Sequence, residues 1–335
     1  MATEPSRRTF LKEFSVAGAG LAFGATATPW AFAQTVSDRT RYVDTDILRI
    51  AYEEAGNANG FPIILLHGWP DDVHAYDDVA PPLVAGGHRV LVPYLRGFGP
   101  TRFKIAGAPR MAEQAAIGQD VIDFANALRL PRFAVAGYDW GGRAAAVAAA
   151  LHPDRVRAAV LIGGYSIQDT VNIRQQPGSP EAEARLWYQW YFNTERGRVG
   201  LQQNRRELCR YLWQTWSPTW HFTDDTYNRT APSFDNPDFV DVTIHSYRHR
   251  HGNAPGEPRF QAIEEQLAKR PKIEMPSITL YGQDDGLGRP SADATPAEKA
   301  VFTKLVGHRV VANAGHFLPH EQPGAVSSAL LELLA

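Results

Sequence analysis

The 335-residue chain holds one cysteine, Cys209, so it can form no internal disulfide and no thiolate cluster for a metal or iron–sulfur centre. It carries no surplus of either charge sign, with 34 Lys and Arg against 36 Asp and Glu and a formal net charge of −2. That balance supplies no field for nucleic acid or an anionic membrane surface. The expected partner is a small, largely apolar molecule. No glycine-rich nucleotide loop and no internal repeat is present, and no cofactor is expected. His245, His249 and His251 have spacings that suggest a metal site, but no carboxylate stands among them and the arginines around them oppose a cation, so no metal is expected either.

A long, strongly apolar run is also lacking. The nearest approach, Phe14 to Phe32, is rich in Gly, Ala and Thr and falls short of the ~20 apolar residues of a membrane span. It follows Ser6-Arg7-Arg8-Thr9-Phe10-Leu11-Lys12 and ends at Ala31-Phe32-Ala33. The pattern reads as a twin-arginine export signal with an A-x-A cleavage site over residues 1–33. The expected product is a periplasmic or secreted protein with no stable membrane insertion after cleavage, a monomer or a homodimer.

The full chain is 44% apolar, and what remains after residues 1–33 is ample for a large core. Short β-type runs recur at 47–55, 62–67, 88–93, 133–138, 156–163, 277–281 and 308–312, with helical stretches at 112–130, 143–152 and 324–333. Strands alternating with helices predict an α/β fold, a mostly parallel sheet with helices on both faces. Residues 165–270 break that rhythm and carry five of the eight tryptophans. They read as a helical cap inserted into a core formed by 34–164 and 271–335. Trp213, Trp216 and Trp220 read as the apolar face of a cap helix, and Cys209 as packing.

The chemistry centres on Gly137-Tyr138-Asp139-Trp140-Gly141, which follows the apolar run Phe133–Ala136. In the G-x-S-x-G version, small residues allow a strained strand-to-helix turn that lifts the central side chain to the top of a parallel sheet. Here that residue is an aspartate. Its carboxylate, with a reference pKa near ~3.9, is ionised at neutral pH and needs no base to attack. Attack on an acyl carbon gives an unproductive anhydride, whereas attack on a saturated carbon bearing a leaving group gives an alkyl ester that water can hydrolyse. The pattern therefore points to epoxides or organohalides.

Two further candidates follow in chain order. Strand 278–281 runs into Gly282-Gln283-Asp284-Asp285, and strand 309–312 runs into Ala314-Gly315-His316-Phe317. Both lie beyond C-terminal strand ends, where catalytic groups gather in open parallel sheets. His316 is the expected base for the hydrolytic water. Asp285 is the expected partner fixing its tautomer, on the pattern Gly-x-x-Asp, with Asp284 and Asp169 as alternatives. The strand at 62–67 ends in His67-Gly68-Trp69-Pro70, which can bring a backbone loop to the nucleophile. The N–H groups of Trp69 and Trp140 are the expected oxyanion hole, and His67 is expected to hold the loop.

From about residue 43 onward the chain resembles the epoxide hydrolases of the α/β-hydrolase superfamily, in Gly137-Tyr138-Asp139-Trp140-Gly141-Gly142 and in His67-Gly68-Trp69-Pro70. The resemblance implies an α/β-hydrolase fold, an Asp139–His316–Asp285 triad, and two cap tyrosines that donate to the epoxide oxygen. These match Tyr188, in Tyr188-Gln189, and Tyr247, in Tyr247-Arg248, with Tyr191 competing with Tyr188. A phenol suits the task, because ring opening produces a strongly basic alkoxide whereas halide departure needs no proton. Related fluoroacetate dehalogenases share an arginine four after the nucleophile, here Arg143, but place another immediately after it, where this chain has Trp140. Haloalkane dehalogenases typically pair a Trp after the nucleophile with an Asn at the position of Trp69. A haloalkane or haloacetate dehalogenase is the alternative reading, and a non-catalytic small-molecule-binding protein a more distant one.

Overall fold

Apolar runs pair into a sheet of nine strands among the described residues: β1 (Arg41–Asp44), β2 (Leu48–Gly56), β3 (Pro62–Leu66), β4 (Arg89–Pro93), β5 (Arg102–Phe103), β6 (Phe133–Tyr138), β7 (Val156–Ile162), β8 (Ser277–Gly282) and β9 (Leu305–Val311). The computed structural model describes residues 40–172 and 177–335, and the export signal read at 1–33 lies outside them. The strand order is β1-β2-β4-β3-β6-β7-β8-β9, with β5 on β2. Pairings from β4 to β9 are parallel, and those of β2 with β1, β4 and β5 are antiparallel. This is the α/β-hydrolase fold.

The order places the site. From β3 the chain first moves outward to β4 and then crosses back to β6 on β3's other side. The crevice beyond the C-terminal ends of β3 and β6 is thus the topological switch point, where open α/β sheets bind ligands. All six residues of β6 are buried, as a strand covered on both faces requires. The helix Asp139–Leu151, rich in Gly and Ala, packs so closely on the sheet that a Cβ on Gly141 would lie 2.1 Å from the carbonyl oxygen of Leu66 in β3. That helix begins at Asp139, four residues before the start expected at residue 143, because the turn passes straight from strand to helix. The unanticipated β1 is mostly exposed, and β5 spans two residues.

Between β7 and β8 the described residues hold helices and no strand: Pro180–Arg185, Trp187–Phe192, Glu195–Trp216, Asp224–Thr230, Phe239–Arg250 and Gln261–Ala268. The long Glu195–Trp216 helix opens on Thr194, whose hydroxyl accepts the Gly197 N–H at 3.0 Å, as an N-cap should. It buries Leu201, Cys209, Leu212, Trp213 and Trp216 at helical spacing. No helix among the described residues is long and apolar enough to cross a membrane.

Candidate active site

Asp139 stands at the end of β6 with φ of +51°, left-handed backbone that an L-residue adopts only under strain. Its Oδ1 accepts the Trp69 N–H at 2.8 Å and the Trp140 N–H at 2.6 Å. Its Oδ2 lies 3.5 Å from His316 Nε2. His316 Nδ1 lies 3.1 Å from Asp285 Oδ2, and Asp285 Oδ1 accepts the Leu287 N–H at 2.8 Å. The ring partner is therefore Asp285 rather than Asp284. The Asp169 carboxylate is spent on its own turn, accepting the Val171 and Asn172 N–H groups at 3.1 and 2.9 Å.

The loop after β3 reaches Asp139 only because residue 68 lacks a side chain. A Cβ there would lie 2.7 Å from Asp139 Cβ and 2.8 Å from Tyr138 Cε2. His67 is fully buried and its Nε2 accepts the Leu95 N–H at 3.0 Å. Burial pushes it down to about 4, so it stays neutral and structural. The intervening helices pin the loop from above: the Trp69 indole donates to Thr243 Oγ1 at 2.9 Å and the Trp213 indole to the Pro70 carbonyl at 2.7 Å.

Charge is organised around Asp139. Burial opposes ionisation of Asp139, but His316, the Trp69 N–H and the Arg143 guanidinium outweigh it and hold the carboxyl below its usual range. Burial likewise opposes charging of His316, yet Asp285 and Asp139 raise it to about 10. The resting centre is an ion pair, Asp139 with imidazolium.

Tyr188 and Tyr247 are both buried, and their rings meet edge to face at 5.5 Å. Tyr188 stacks on Trp69 at 6.1 Å, and Tyr247 packs against Trp140 at 5.8 Å. The Tyr188 oxygen accepts the Gln189 Nε2–H at 3.0 Å, which leaves its own proton free to donate. The Gln189 Oε1 in turn lies 3.0 Å from His251 Nε2. Burial, then the Asp139 charge, pushes the Tyr188 phenol up to about 12, and burial raises Tyr247 well above the usual phenol range. Both stay protonated. Tyr191 faces elsewhere, lining a surface depression with Val199 and Gly200.

Tyr188 and Asp139 line one cavity of about 510 Å³, with Arg143, Gln189 and Arg250. A second cavity of about 220 Å³ meets it at Asp139 and reaches Asp285 and His316, leaving room for water beside the ring. Sequence reasoning missed Gln189, Arg250 and Trp216. Arg250 sat in plain view three residues after Tyr247, but only the turn of a helix end brings it to the cavity.

The sequence pattern of the alpha/beta hydrolase fold matches residues 62–323. The chain is similar to a crystal structure of a proposed epoxide hydrolase from Klebsiella pneumoniae subsp. pneumoniae MGH 78578, with 40% identity, a TM-score of 0.85, and coverage of 88% of this chain and 97% of that one. It is 34% identical over 293 residues to a haloalkane dehalogenase from Mycolicibacterium paratuberculosis, covering 86% of this chain and 88% of that one. It is 26% identical over 299 residues to a soluble epoxide hydrolase from Corynebacterium sp., covering 86% and 94% of the two chains. With a sharp strand-to-helix turn at the switch point of its sheet and a pattern match over most of its length, the chain belongs to the alpha/beta hydrolase fold family.

Proposed function

We propose that the protein is an epoxide hydrolase that opens its substrate to a vicinal diol through an ester on Asp139. The observation that carries this reading is the division of labour between the two oxygens of Asp139, in a cavity also lined by a tyrosine with a free proton. Oδ1 is held by the two backbone N–H donors, and Oδ2 faces the imidazole. In the first step Oδ2 attacks an epoxide carbon, the C–O bond breaks, and the departing oxygen takes a proton from Tyr188 or Tyr247. With the Asp139 charge gone, the imidazolium passes its proton to the phenolate, and in the second step neutral His316 takes a proton from water, which attacks the ester carbonyl carbon. Charge then develops on Oδ1, where the Trp69 and Trp140 N–H groups already point. Collapse releases the diol and regenerates Asp139, with one oxygen from water, beside the imidazolium of the resting state.

Esterification resolves what the resting ion pair leaves contradictory. A histidine at about 10 is a poor base at neutral pH, but the ester removes the Asp139 charge that helps raise it. The base is thus released only once there is an ester to hydrolyse. The epoxide hydrolases among the relatives support the reading.

A haloalkane dehalogenase uses the same first step, and relatives of that name give it weight. Halide departure, however, leaves the two buried phenols without work. One single turnover in ¹⁸O-labelled water, followed by peptide mass spectrometry, tests the reading: the label enters Asp139, the product is a diol, and haloalkanes release no halide. An unlabelled Asp139 with diol formed overturns the ester. Residues 165–270 are the proposed cap over the site, and residues 1–33, on their own sequence pattern, the proposed twin-arginine export signal.

A further inference from the structure

Two arginines line the cavity in front of Asp139, and among the described residues neither is ion-paired with a carboxylate. Arg250, the last residue of the Phe239–Arg250 helix, is only 7% exposed, and its Nη2 is buried with no hydrogen-bond partner. Its Cζ lies 4.9 Å from the Tyr247 ring centroid. That cation–π contact accounts for the face of the guanidinium and leaves its N–H edge unsatisfied. Arg143 stands one helical turn beyond Asp139, and its Nε donates to the Ser166 carbonyl at 3.1 Å. Among the described residues neither arginine makes an ion pair within 4.0 Å.

The remaining charges of the cavity do not answer them. The oxygens of Asp139 are committed to two N–H donors and to His316. Glu183, at the half-buried rim, accepts the Gly178 N–H. His251 is pushed down to about 4, by burial first and then by Arg250, so it is neutral. Burial and the facing Arg250 pull Arg143 down to about 9, still cationic at neutral pH. Buried like charges with unmade hydrogen bonds are costly unless an anion joins them. Esterification sharpens the need, because it erases the one negative charge beside Arg143.

We propose that Arg143 and Arg250 form an anion subsite beside Asp139 and that the substrate is an epoxide bearing a carboxylate. The subsite follows from the arginines alone; the epoxide rests on the function proposed above. A planar carboxylate matches the guanidinium fork and takes charge-assisted hydrogen bonds from both groups. The largely apolar substrate expected from overall composition thereby gains one charged end.

The test compares trans-3-phenylglycidate with its primary amide, a neutral group of the same shape, by kcat/KM in the wild type, Arg250→Met and Arg250→Lys. Because both epoxides meet every variant, their intrinsic reactivities cancel in the acid-to-amide ratio. That ratio falls roughly 10- to 100-fold in Arg250→Met, as expected for loss of a charge-assisted contact, and Arg250→Lys recovers part of it. A measurement on the unaltered protein stands beside this one: phenylacetate inhibits competitively and phenylacetamide at least ~10-fold less well. An acid-to-amide ratio equal in wild type and Arg250→Met, or equal inhibition by the two phenyl compounds, overturns the subsite while diol formation keeps the epoxide hydrolase standing. Diol from neither epoxide, with chloride released from chloroacetate in preference to chloroacetamide, overturns the epoxide and retains the anion subsite.

Discussion

The backbone carbonyl of Trp216 accepts the N–H of His316 at 3.2 Å, and the same oxygen accepts the Gly286 N–H at 2.9 Å. One atom at the end of the Glu195–Trp216 helix thus ties together the loop carrying the candidate base and the loop carrying its carboxylate. The next residue extends the tie. Ser217 Oγ donates to Glu321 Oε1 at 2.6 Å and accepts the Phe317 N–H at 3.1 Å, while Glu321 Oε2 accepts the Gly315 N–H at 2.8 Å. Ser217→Ala leaves a buried N–H and a carboxylate oxygen unanswered, an expected cost of about 1–3 kcal/mol in urea unfolding. Because those bonds flank His316, single-turnover measurements on this variant should find ester hydrolysis slowed more than ester formation.

Gly68→Ala tests the approach of the loop after β3 to Asp139. The added methyl would meet Asp139 Cβ at 2.7 Å, and Asp139 cannot withdraw from its strained turn. The loop must shift, carrying the Trp69 N–H away from Oδ1. Loss of one such donor lowers turnover by roughly 10²–10³-fold. Steady-state kinetics together with a near-native circular dichroism spectrum would separate this outcome from failure to fold.

Much of this was legible in the chain because local patterns determine it. The run Phe133–Tyr138 is apolar without interruption, as a strand buried on both faces must be, and the glycines around Asp139 sit where side chains would strike backbone. His316 and Asp285 were readable because each follows a strand end. Arg250 was not, since its role depends on the helix Phe239–Arg250 ending over the Asp139 cavity, a matter of tertiary packing. The same holds for Trp216, which acts through a carbonyl that any residue possesses. β1 escaped notice because an exposed edge of sequence Arg-Tyr-Val-Asp lacks the apolar signal of the interior strands.

The raised pKa of His316 makes stability depend on pH. Its folded value, about 10, exceeds its ordinary 6.5, so the contribution is complete below about 6.5 and is lost as pH rises through 10. The wild type should therefore lose stability between neutral pH and pH 10. Asp139→Asn, which removes one of the two charges sustaining the imidazolium, should lose less across that range. ¹⁵N-histidine NMR should find His316 titrating at lower pH in Asp139→Asn than in the wild type. Equal titration in the two proteins would count against release of the base by esterification.

His316→Gln separates the two chemical steps. Attack needs only the ionised Asp139, whereas hydrolysis needs a base, so the variant should accumulate enzyme heavier by one substrate molecule. Intact-mass spectrometry checks this directly. Substrate binding without any adduct would remove the covalent mechanism.

The tyrosine pair distinguishes epoxide from halide most sharply. The buried rings of Tyr188 and Tyr247 meet at 5.5 Å, and each Phe substitution keeps the ring while deleting a proton donor. Losing both should slow epoxide opening by roughly 10²–10⁴-fold, the usual worth of general-acid catalysis. Tyr188→Phe also strands the Gln189 amide that its oxygen accepts, so a small loss of thermal stability should accompany it. Ester hydrolysis, which depends on His316 and the backbone donors, should change little, making adduct formation limiting. Under the dehalogenase reading, by contrast, a haloalkane would lose far less, because its leaving group needs no proton. Epoxide opening at the wild-type rate in the double variant would strip the tyrosines of their role and move the dehalogenase reading ahead.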